Sequence, residues 1–319
     1  GSGTTTVSGT AVIDNTSAYK YLSRRLVIAG NLEFGNSSGY YLQINNGGTL
    51  HLGATGRLFT TAASGLIYLA SGSGGTATFS ADDGARLDAA TGADMTVRSD
   101  GNSGNRIAGS FELGGSGDLH LDSGVIGTGA TTRFDGSGRL RLSGGATFNA
   151  NHALTIDSAF RMEGGTLGGS GNIDIGGAFT WAGGTMTGSG TTTVGGSGAI
   201  DNTSAYKYLG RRLDVTGSLV FGNTSGYYLQ LNNGGHLHVA AGGSLGTSAS
   251  NGLIYLASGS GGSALFSTDA DGDIVLGAGT ELTLRADGNV GNRLAGSFDL
   301  NGEGQLHLDS GMVSVDTDS

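Results

Sequence analysis

Apolar and polar residues alternate one by one along most of this chain. Leu119 and Leu121 flank His120, Leu140 and Leu142 flank Arg141, and Ile173 and Ile175 flank Asp174. A period of two sends neighbouring side chains to opposite faces, which predicts strand and not helix. The alternating runs are short and end in Gly-Gly, Ser-Gly or Asn-Asn-Gly-Gly, where glycine supplies the positive φ that a sharp corner needs.

The runs also recur. Residues 1–7 read GSGTTTV and residues 188–194 read the same, a spacing of 187 that persists without a gap. DNTSAYKYL at 14–22 returns at 201–209, LIYLASGSGG at 66–75 returns at 253–262, and LHLDSG at 119–124 returns at 306–311. Roughly two-thirds of the paired positions are identical over about the first 124 residues, as in a repeat array. The chain therefore divides into a first long repeat, 1–187, and a second, truncated copy, 188–319, within one continuous solenoid. A shorter step of 19 lies inside it, where GGTLGGSGNIDIGGAFTW at 164–181 is followed by GGTMTGSGTTTVGGSGAI at 183–200. A single coil of this length cannot bury its apolar face alone and must stack on its neighbours. The expected fold is all-β, a parallel β-helix of about 14 coils of roughly 19–28 residues each.

Composition supports the same architecture. Glycine supplies 65 of 319 residues and proline none; proline cannot donate to a ladder, so its absence suits segments paired on both sides. A flexible glycine-rich linker is the weaker reading, because 37% of residues are hydrophobic and they alternate. Cysteine is absent, which removes disulfides and thiolate metal sites. No run approaches the roughly 18 apolar residues of a membrane span, and no charged-then-apolar leader opens the chain, so membrane insertion is not expected. The formal net charge is −10, with only Lys20 and Lys207 as lysines among 16 basic residues. Such a surface does not suit nucleic acid, which needs basic groups against phosphate.

The opening GSG returns at Gly188, Ser189 and Gly190 and so belongs to the repeat. With no polar capping segment at the start, the parent molecule is expected to continue N-terminally. Further copies of the repeat are the first expected partners, and an unprotected coil edge would favour end-to-end self-association.

The run WAGGTMTGSGTTTVGGSGAI, followed by YKYLGRRLDVTGSLVFGN and GYYLQLNNGGHLHV, spans 181–239. It resembles the strand repeats of very large bacterial surface proteins, similar to filamentous haemagglutinin-like, two-partner-secreted and autotransporter adhesins. The same pattern, less its first tryptophan, opens the first copy, so the resemblance covers essentially the whole chain. It implies a right-handed β-helix, export across a Gram-negative envelope to the cell surface, and a role in adhesion, biofilm matrix or surface fibres.

Candidate chemistry is sparse. Tyr19, Lys20, Tyr21, Arg24, Arg25, Tyr40 and Tyr41 form a cluster that returns as Tyr206, Lys207, Tyr208, Arg211, Arg212, Tyr227 and Tyr228. Aromatic faces beside cations could stack on sugar rings, hold an acidic polysaccharide, or contact a neighbouring fibre. The plainer alternative is that stacked tyrosines and arginines brace a wide coil. Asp269, Asp271 and Asp273 in DADGD start like a calcium loop, yet the first copy keeps only Asp82 and Asp83 and the full loop pattern is missing, so a solvated turn is favoured.

Thr4 to Thr6 and Thr191 to Thr193 suggest an ice-binding rank but occur once per long repeat, as good strand formers do. His236 and His238 share a strand face without an evident third ligand. A β-helix polysaccharide lyase would need clustered carboxylates with a basic residue, and Asp122 and Asp309 recur in LDSG without a second carboxylate at fixed spacing. No catalytic residue and no cofactor is assigned. The expected function is a non-catalytic stalk or fibre segment, with a glycan- or matrix-binding module as the alternative and a polysaccharide lyase behind it.

Overall fold

A computed structural model describes residues 3–316 except 15–16, 36–39, 62–63, 72–74, 202–203, 223–225, 233, 248–250 and 259–261. Among the described residues there are 36 strands and no helix. The strands pair in parallel and stack as a β-solenoid of about 12 turns. That is close to the 14 coils expected from the sequence. Successive partners such as Thr49 and Thr78 lie further apart than the 19-residue step suggests.

The chain forms two compact units, one of residues 1–161 with 165–170 and the other of residues 162–164 with 171–319. This division follows contacts and does not coincide with the 187-residue sequence period, which marks identity between coils and not a gap in stacking.

In the first unit each turn supplies three strands to three ladders. One ladder aligns Thr4, Arg25, Thr49, Thr78 and Arg106. A second aligns Thr10, Asn31, Arg57, Arg86 and Glu112. The third aligns Lys20, Leu42, Ile67, Val97 and Leu121. The second unit repeats this register, with Arg212, His236, Leu265 and Arg293 on the first ladder, Ser218, Ser244, Asp273 and Asp299 on the second, and Lys207, Leu229, Ile254, Leu284 and Leu308 on the third.

Alternation then sorts the side chains. Leu50, Leu52, Leu58, Ile67 and Leu69 are wholly buried in the first unit, and Leu237, Val239, Leu245, Ile254 and Leu256 in the second. Each such burial stabilises by about 1.5–3 kcal/mol, repeated in every turn. Phe79, Phe111, Phe134 and Phe148 form an interior file with ring centroids 5.0, 5.6 and 6.3 Å apart, within the range of favourable edge and offset contacts. In the second unit Trp181 is fully buried, 6.4 Å from Phe179.

Glycine is required where a coil turns directly beneath its neighbour. Gly109 has φ 95°, and a Cβ there would lie 1.8 Å from the Ala81 carbonyl oxygen. Its repeat partner Gly296 has φ 90°, with the same 1.8 Å approach to Thr268. Gly92 has a comparable φ of 75° but open space where its Cβ would stand. Gly109→Ala is therefore expected to cost roughly 3 kcal/mol, from strained φ plus collision, and Gly92→Ala about 1 kcal/mol from φ alone. Denaturant unfolding of both variants checks the difference.

Candidate functional site

The third ladder carries the tyrosines. In the strand Lys20–Leu22 the alternation turns Leu22 inward and leaves Tyr21 63% exposed. Two outward columns follow from the register. One runs Tyr21, Gln43, Tyr68, Arg98, Ser123. The other contains Leu66, Thr96 and His120 beside Tyr41. The second unit reproduces both, as Tyr208, Gln230, Tyr255, Arg285, Ser310 and as Leu253, Thr283, His307 beside Tyr228.

The rings form continuous contacts. Tyr19 lies 4.4 Å from Tyr41 and 5.1 Å from Tyr40, and Tyr41 meets Tyr68 edge-on at 5.3 Å. Tyr206 lies 4.5 Å from Tyr228 and 5.1 Å from Tyr227, and Tyr228 meets Tyr255 edge-on at 5.6 Å. Burial and neighbouring tyrosines push the phenol pKa of Tyr41 and Tyr228 upward, so both hydroxyls stay protonated at neutral pH. Tyr68 and Tyr255 belong to these clusters although the sequence reading did not single them out. Their signal was the outward parity of tyrosine in LIYLASGSGG.

The cations of the anticipated cluster separate from the rings. Lys207 is 0% exposed and donates from Nζ to the Ala205 carbonyl at 2.6 Å; burial lowers its pKa to about 8. Arg211 is 2% exposed, and its guanidinium donates to three backbone carbonyls: Gly190 at 2.8 Å, Thr187 at 3.2 Å and Gly171 at 3.0 Å. Burial lowers its pKa to about 10, still charged at neutral pH. Both cations thus satisfy carbonyls inside the solenoid and do not form an outward patch.

In the first copy Lys20 is half-buried and donates to the Ala18 carbonyl at 2.7 Å, while Arg24 is exposed and donates to Gly3 at 3.1 Å. Arg25 starts a strand of the first ladder, and Arg212, within the strand Lys207–Val215, pairs on that same ladder and donates to Asp214 at 2.6 Å.

An Arg–Asp pair replaces those cations beside the tyrosines. A register shift follows Val97 and makes Asp122 an extra residue between Leu121 and Ser123. Beside this bulge Arg98 Nε donates to Asp122 Oδ2 at 2.6 Å. The same shift follows Leu284, and Arg285 Nε donates to Asp309 Oδ2 at 2.7 Å.

Histidines and the aspartate series fall on the other ladders or lower on the third. His51 Nδ1 lies 3.0 Å from Ser80 Oγ and its Nε2 3.3 Å from Asp82. His238 repeats this with Ser267 at 2.8 Å and Asp269 at 3.6 Å. Ser80 and Ser267 sit mid-strand, their ladders paired on both sides, so the strand N–H groups go to neighbouring coils and are not turned out toward a reacting oxyanion.

Asp269 also accepts from the Ala241 N–H, Asp273 accepts from Asn301 at 2.9 Å, and Asp271 contributes a backbone carbonyl to Gly242. These three aspartates are therefore engaged separately. Among the described residues no group of three or more His, Asp or Glu is placed to hold a metal ion. Thr191 and Thr193 face outward on a coil whose next partners are Arg212 and Asp214, so no flat threonine rank extends across coils.

No protein-family model, curated protein or solved structure matches the chain.

Two outcomes follow from the buried groups. Arg211→Ala strips a charged donor from three interior carbonyls and is expected to cost roughly 3 kcal/mol, against under about 1 kcal/mol for exposed Arg24→Ala; chemical denaturation of the two variants measures the contrast. His236 is pushed down to about 4, by burial first and then by Arg212 and His238. Its unfolded value is higher, so between about 6.5 and 4 the unfolded chain binds more protons, and stability falls as pH falls through that window. Urea titrations across it should show a shallower loss in His236→Gln.

Proposed function

We propose that the chain is a non-catalytic structural segment, a stalk or fibre piece, of a secreted bacterial adhesin or biofilm-matrix protein displayed at the cell surface. The observation that carries this reading is the parallel ladder itself. Coil after coil, the three strand faces pair in one register and bury an aliphatic file. Stability in such an array sums over neighbouring turns, and length is set by copy number.

The side-chain chemistry agrees with a structural role. The titratable groups with shifted pKa values mostly face carbonyls, serines or ion partners within the stack, and the Ser-His-Asp chains lie flat on strands.

Cryo-electron tomography of the source cells, with antibody raised against this chain, tests the proposal. Label distributed along thin filaments outside the envelope is expected, and label confined to the cell interior would overturn it. Turnover of any polysaccharide by the purified chain, read as new reducing or unsaturated ends, would overturn its non-catalytic part.

A further inference from the structure

The geometry points to a pair of equivalent sites on the third ladder, each binding one neutral hexopyranose unit of a saccharide. The first is a groove of about 280 Å³ lined by Tyr41, Leu66, Tyr68, Arg98, Ser99 and Ser123. This proposal goes beyond the stalk reading and does not depend on it.

Duplication is the first argument. Five of the six lining residues return at the repeat spacing as Tyr228, Leu253, Tyr255, Arg285 and Ser310, and the bulge that delivers Asp122 returns with Asp309. The one change, Ser99 to Ala286, falls on a buried side chain. Asp118 and Asp94, which hold Arg141 at 3.2 and 2.6 Å, are replaced by Gln305 and Glu281. The groove lining is therefore copied more faithfully than these two neighbouring carboxylates.

Chemistry is the second argument. Tyr41 and Tyr68 stand at 73° to each other, and Tyr228 and Tyr255 at 80°, so each ring pair offers a face beside an edge. An aromatic face carries negative potential and matches the weakly positive C–H face of a pyranose. Across the groove, Arg98 keeps 48% of its side chain exposed while Asp122 orients it; Arg285 keeps 46% beside Asp309.

A fixed guanidinium next to a carboxylate and a serine hydroxyl presents donors and acceptors side by side, as vicinal hydroxyls require. The Arg and Asp charges cancel, which favours a neutral sugar over an acidic one. The volume lies just under the roughly 300 Å³ at which drug-sized sites begin, enough for one ring in an open groove. One ring with few direct bonds implies weak binding, with Kd on the order of millimolar.

Saturation-transfer-difference NMR on the whole chain, with methyl glucoside, galactoside and mannoside as probes, tests the proposal. Transfer concentrated on one face of at least one of these sugars is expected, together with proton shifts of two tyrosine sets that saturate in parallel. Tyr68→Ala with Tyr255→Ala should weaken binding at least tenfold. Should those variants lose the fold, Arg98→Gln with Arg285→Gln, on exposed side chains, should still weaken it several-fold with an unchanged circular dichroism spectrum. Absence of transfer from all three neutral sugars, binding of methyl glucuronide alone, or affinity unaltered by the folded double variants would each overturn the assignment.

Discussion

The backbone ladder between successive coils governs everything else in this protein. Parallel pairing in constant register means that a residue's neighbours above and below are fixed by the residue's place in its coil. Side chains therefore form columns, and each column must be consistent as a whole. An inward column tolerates leucine, isoleucine, valine and phenylalanine, as Leu50 and Phe79 show. An outward column is free to carry chemistry, but only chemistry that accepts its neighbours in the stack.

That constraint explains why so much of the architecture is legible without coordinates. A period of two at Leu119, His120 and Leu121 predicts one buried and one exposed face, and both leucines are buried with His120 between them. Glycine corners and the 19-residue step predict stacked coils, and the parallel β-solenoid follows.

The site was less legible, for a definite reason. Tyr19, Lys20, Tyr21 and Arg24 are close in sequence and look like one patch, yet parity sends Lys207 inward and Tyr208 outward on a single strand. The destination of Arg211 depends on carbonyls at Gly171, Thr187 and Gly190, which lie in earlier coils and cannot be seen locally. The Arg98–Asp122 pair joins two coils and becomes visible only once the register sets Val97 beside Leu121. Tyr68 was visible as an outward residue, but its contact with Tyr41 requires the register between coils.

Arg211 has a mechanical consequence. Its one guanidinium ties its own strand to carbonyls of two preceding turns, so those turns cannot peel away singly without exposing a charge-bearing knot and orphaning several acceptors at once. Fraying from that side would stall at this rivet until enough force or heat released the turns together. A stack of coils tied in this way yields there as a block of turns instead of unravelling like thread.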